Sequence, residues 1–158
     1  MASAGTIVGM DLRGEKELIK ALKDLDGSIN RRVIKGASRK AMKPVVKSAR
    51  ENLRKHKRTG QLRKAMGTKQ VKIATGVVWT GVGPRSGFKI DTERFGPVNP
   101  VNYAHLLEYG NQRHSGKPWL RPALDNNRGR IQSILVHELK VGIAKEAVKA
   151  RQKAGGPR

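Results

Sequence analysis

Between residues 29 and 55 an apolar side chain returns at every fourth position: Ile29, Val33, Ala37, Ala41, Val45, Ala49 and Leu53. Arg31, Lys35, Arg39, Lys43 and Lys47 keep the same interval, offset by two. Two residues turn an α-helix by about 200°, so the pattern predicts a long helix with an apolar stripe opposite a basic one. Pro44 stands inside the run. It has no amide donor, and it predicts a kink or a division near Met42.

The flanking segments are shorter. Thr6 to Leu12 is β-prone and is read as a first strand. Gly14 to Leu25 reads as an amphipathic helix, with Leu18, Leu22 and Leu25 on one face and Ile19 beside them. Asp26-Gly27-Ser28 is a stop and a restart, with Ser28 the expected N-cap of the long helix. Lys69 to Ile73 and Val77 to Val82 read as a β-hairpin around Thr75-Gly76. Gly83 to Pro100 holds three prolines and reads as a long mobile loop with little regular structure. A short helix from Val101 to Tyr109 stops at Gly110, and Asn111 to Lys117 is a polar loop. Trp119 to Ala150 reads as a second long helix with Pro122 in its first turn, weakened by Gly129 and Gly142. The expected fold class is α+β: a small antiparallel sheet, made of the N-terminal strand and the central hairpin, packed against two long helices. Residues 1–150 are expected to form one domain and 151–158 a basic flexible tail.

Charge narrows the partners. The formal net charge is +22. From Arg31 to Lys64 there are 14 Lys and Arg against one acid, Glu51, so 13 of those charges sit in that stretch. The basic patch comprises Arg31, Lys35, Arg39, Lys43, Lys47, Arg54, Lys55, Lys57 and Arg58. Such an excess attracts nucleic acid, acidic membranes or acidic protein surfaces, and is also what a solvated helix face looks like. With no cysteine, disulfides and thiolate metal sites are excluded. No signal peptide and no apolar run of about 20 residues is read, so a cytoplasmic protein without a membrane partner is expected.

Catalytic chemistry finds no support. Neither a phosphate-cradling Gly-x-x-x-x-Gly-Lys loop nor a Gly-x-Ser-x-Gly elbow is present, and the acids are scattered. His105, Glu108 and His114 are the one trio that suggests a metal, but they lack His-Glu-x-x-His spacing; polar contacts explain them better. No cofactor is expected. Trp79, in a strand, reads as core rather than as a base-stacking platform. Trp119 fits two roles, a core anchor or a subunit contact.

Three blocks occur in order: Thr59-Gly60-Gln61-Leu62-Arg63, then Tyr103-Ala104-His105-Leu106-Leu107-Glu108-Tyr109-Gly110, then Pro118-Trp119-Leu120-Arg121-Pro122-Ala123. With the basic helix before them, they resemble the neck or tail-completion proteins of long-tailed bacteriophages, a head–tail connector family. The resemblance runs from about Thr6 to Ala150. Trp119 departs from it, since Phe is more usual there, as does the length of the 83–100 segment.

The resemblance implies a structural virion protein, not an enzyme. It implies a place at the head–tail junction, assembly in the host cytoplasm and a six-fold homo-oligomeric ring. It also implies contacts with the connector or stopper, the tail terminator and the tail tube, and non-specific contact with passing DNA. Thr59, Gly60, Leu62, Arg63, Tyr103, His105, Glu108, Tyr109, Gly110, Pro118, Trp119, Leu120, Arg121 and Pro122 are the implied motif and assembly residues. Because an adhesive lumen would slow DNA, the basic stripe is expected to face an acidic partner or the outer surface. The competing reading is a small basic nucleic-acid-binding protein without sequence preference, which would rest on phosphate contacts alone.

Overall fold

The computed structural model describes residues 16–55, 60–72, 78–92 and 96–154. The expected first strand, Thr6 to Leu12, lies outside them. Helix α1 is Lys16–Lys23, and α2 begins at Gly27 and ends at Ala41. Its N-cap is Asp26, not Ser28: the Asp26 carboxylate accepts from the Ser28 amide at 2.8 Å and from the Ser28 hydroxyl at 2.6 Å. The acid reaches an unpaired first-turn donor that the hydroxyl, already inside the helix, does not.

The long basic helix is divided, as Pro44 requires. Helix α3 is Lys43–Arg54, and Met42 is the joint. The division has a geometric benefit. A four-residue repeat drifts about 40° per step on a 3.6-residue helix, or about 240° over six steps. One straight rod would carry the apolar stripe round to the far side. Cut at Met42, each half drifts only about 80°. Val33, Ala37 and Ala41 are buried on α2, and Val45, Ala49 and Leu53 on α3.

The second long helix is also divided, which its sequence reading did not anticipate. Helix α6 is Leu120–Asp125 and α7 is Arg128–Ala154. Asn126-Asn127 forms the break. The Asn127 side-chain amide donates back to the Ala123 carbonyl at 2.7 Å, and the Asn127 carbonyl accepts from Ile131 at 2.8 Å as α7 begins. Asparagine competes with the helix for its own backbone groups. Helix α7 continues through Ala154, four residues into the stretch read as a tail.

The buried apolar side chains form two clusters. One gathers Val45, Ala49, Leu53, Leu62, Met66, Ala104, Trp119, Ala123, Leu124 and Ile131. The other joins Leu18, Val33, Ala37 and Leu139. Leu135 packs against both. At the second, α2 and α7 come close enough that a Cβ on Gly142 would lie 2.6 Å from Val33 Cγ1. The glycine that weakens α7 locally is the residue that lets the helices meet.

The β-structure consists of two-stranded antiparallel ribbons among the described residues, not one sheet. The hairpin is present, with β1 at Met66–Lys72 and β2 at Val78–Pro84, in register Met66 with Pro84. Its turn lies outside the described residues. It packs on the helices: Val82 meets the main cluster, and Gln70 donates to the Lys35 carbonyl at 2.6 Å. Trp79 is only half-buried. The 83–100 segment, expected to be irregular, forms a second ribbon, β3 at Ile90–Thr92 with β4 at Gly96–Val98. Helix α5, Val101–Tyr109, ends at Gly110 as expected. A two-residue pairing follows, β5 at Gly110–Asn111 with β6 at His114–Ser115.

Candidate functional site

The second and third sequence blocks are joined by one carboxylate. Ala104 and Glu108, four residues apart on α5, both face inward and are buried. Gly110 turns the chain at φ +82°. A Cβ there would stand 2.4 Å from the Gly116 nitrogen, so the two backbones touch where only glycine fits. Asn111 Oδ1 accepts from the Arg113 and His114 amides at 2.9 and 2.8 Å, which holds the loop tip. The Lys117 amide then donates to the Leu107 carbonyl at 2.8 Å, bringing the chain back along α5.

This return places the start of α6 over Glu108. Its Oε2 accepts from the Trp119 and Leu120 amides at 2.8 and 2.9 Å, and its Oε1 from the Arg121 amide at 3.0 Å. A helix start leaves four amides without partners. Here the first three meet the carboxylate, and the fourth position is Pro122, which has no amide to satisfy. Negative charge at a helix N-terminus is favourable as well. Glu108 thus acts as a cap supplied from another helix, and its Oε atoms are committed to backbone. That removes it from the His105–Glu108–His114 metal trio, whose histidines are both exposed. Among the described residues no group of three or more His, Cys, Asp or Glu is placed to hold a metal ion.

Trp119 is 2% exposed and sits in the main cluster. Asn52 of α3 donates to its carbonyl at 2.9 Å. Its indole Nε1 has no acceptor among the described residues. Leu120 and Pro122 are half-buried, while Pro118 and Arg121 are exposed. Tyr103 is half-buried, and burial raises its hydroxyl pKa above the ordinary range. On the outer side of α5, His105, Leu106 and Tyr109 are exposed, Leu106 at 42% and Tyr109 at 55%.

In the first block, Thr59 lies outside the described residues. Gly60 adopts φ +69° and opens α4, Gln61–Ala65. Leu62 enters the core and Arg63 stays half-exposed.

The basic helices present two different surroundings. Toward α7, Arg32 pairs with Glu146 at 3.0 Å and Lys40 with Glu138 at 2.6 Å. On the other side, a groove of about 580 Å³ between α3 and the start of β1 is walled by Arg39, Lys43, Lys47, Arg50, Arg54 and Arg63. Arg31 and Lys35 lie further along α2, beside a hollow of about 480 Å³. Lys55 is exposed, and Lys57 and Arg58 lie outside the described residues. Arg50 and Arg63 are groove residues that the stripe reading did not include. Arg50 stands three residues after Lys47 and four before Arg54, a helical spacing that reveals it once a second basic row is sought.

Residues 16–110 match the family described as "Bacteriophage HK97-gp10, putative tail-component". The match covers the basic helices and the first two sequence blocks. The third lies beyond it, tied to the second by the Glu108 cap. No curated protein and no solved structure matches the chain. More than half of the chain falls within the matched stretch, and the chain belongs to the HK97-gp10-like family of bacteriophage tail components.

Proposed function

We propose that this protein completes the tail end at the head–tail junction and joins it to the capsid connector as a homo-oligomeric ring of six-fold symmetry. The observation that carries the reading is the family match over residues 16–110. Assembly takes place in the host cytoplasm, and the ring's neighbours are the connector or stopper, the tail terminator and the tail tube. Among the described residues no helix is long and apolar enough to cross a membrane.

The motif residues divide between two tasks on this reading. Leu62, Glu108, Gly110 and Trp119 hold the fold. The outer face of α5, with His105, Leu106 and Tyr109, is the contact face between copies, because two large apolar side chains stand exposed there one turn apart. Mass measurement and electron microscopy of the purified protein, alone and with tails, test it. Six copies seated on the tail end are the expected result. Leu106→Ser with Tyr109→Ala should melt like the wild type while failing to form that ring. Virions assembled without the protein that keep head and tail joined would overturn the reading.

A further inference from the structure

We infer that the groove between α3 and β1 is a binding site for the phosphate backbone of double-stranded DNA, held without regard to sequence. Among the described residues six cations line it, and Glu51 is the one acid on its wall. On α3, Lys43 to Arg54 spans 11 residues, about 16 Å of helix at 1.5 Å per residue. A stretch of duplex that long carries about five phosphates on each strand.

The cations are positioned yet not neutralised. Arg39 donates to Gln70 Oε1 at 3.2 Å and Arg50 to the Met66 carbonyl at 2.8 Å. Both acceptors are uncharged, so they fix the guanidinium and leave its charge unspent. Lys43, Lys47 and Arg54 form no ion pair with any described residue. Among the described acids, Glu138 and Glu146 of α7 pair with Lys40 and Arg32, and Glu108 is taken by the α6 amides; Glu138 shares a hollow with Lys43 and Lys47 but bonds Lys40 there.

The lining also favours DNA over an acidic protein. Protein interfaces have an apolar centre poor in charge, whereas DNA-binding surfaces are polar and strongly positive. Here Val46 is the only aliphatic residue among the ten that line the groove. Among the described residues the lining has no aromatic, Asn or Gln side chain, and its guanidiniums pair bidentately with phosphate.

The test is anisotropy titration of two unrelated short duplexes between about 50 and 200 mM salt. Each phosphate contact contributes about 0.9 to the slope of log K against log salt. Lys43→Gln, Lys47→Gln and Arg54→Gln together should lower that slope by about 2.7, equally for both duplexes, with unchanged melting. Lys16→Gln, Lys20→Gln and Lys23→Gln remove the same charge from α1 and should leave the slope near that of the wild type. The inference fails if the wild type does not bind, if both triples weaken binding alike, or if one duplex is strongly preferred. It fails also if polyglutamate displaces DNA at equal charge, which would point to an acidic protein surface. The titration reads DNA binding and not assembly, so the proposed ring can stand or fall separately.

Discussion

Glu108 and Glu138 are the same residue type on neighbouring helical surfaces, and the fold uses them in opposite ways. Glu108 is 6% exposed and pairs with no cation among the described residues; three backbone amides share its charge. Glu138 is half-buried and meets the more exposed Lys40, while Glu146 nearby meets Arg32 and Lys149. In a chain of +22, the buried acid is reserved for backbone and these half-buried ones for lysine and arginine. A buried hydrogen-bonded charge is costly to disturb, and a pair whose cation stands in water contributes less. The α3–α6 region should therefore govern stability, and the α2–α7 region should yield first.

The largest expected effect is Trp119→Ala, which empties the centre of the main cluster. Denaturant melts should show a loss of about 3–5 kcal/mol. A melt that is unchanged while assembly fails would show that the side chain leaves the core to contact another subunit. Next comes Glu108→Gln. Its amide keeps the size but turns an NH₂ toward amides that need an acceptor, so about 2–3 kcal/mol should be lost. If Glu108→Gln melts like the wild type, the contrast between the two regions is mistaken.

Gly142→Ala tests the second region by crowding. The added methyl meets Val33, and overpacking less the gain in helix propensity leaves a loss of about 1–2 kcal/mol. Val33→Ala should restore part of it, because the clash partner is then removed.

The smallest effect is that of acid. The Lys40 hydrogen bond holds the Glu138 carboxyl below the ordinary range, and Lys149, then Arg32, does so for Glu146. Depressed carboxyl values stabilise the fold above about pH 4.3, and that contribution is lost as pH falls through the lowered values. Hydrogen exchange on α7 below that pH should accelerate around Leu139 before it does around Ile131. Simultaneous release at both would mean that the two clusters form one unit.

What was legible in the sequence tracks how local the cause was. The divided basic helix was readable because Pro44 acts on its own backbone. The hairpin and the stop at Gly110 followed from local residues too. Asn126-Asn127 was local as well, but two polar residues do not announce a break as a proline does. The ribbon inside 83–100 depends on pairing between short strands and not on the character of either one. Glu108 was noticed as part of a motif, yet its partners lie 11–13 residues away and are amides, which every residue but proline carries. The unneutralised groove was hidden for the same reason. The sequence counts charges, and only the fold shows which of them have been paired.

The glycine contact between residues 110 and 116 has a practical consequence. The chain between them leaves and re-enters the fold at almost one point, closed beneath by the Lys117–Leu107 hydrogen bond. Its tip, Gln112 and Arg113, is exposed. Extra residues inserted there would lengthen a loop already sealed at its neck, so the strain of accommodating them need not reach Glu108 or α6. That makes the tip the natural place for an affinity tag or a fluorescent label.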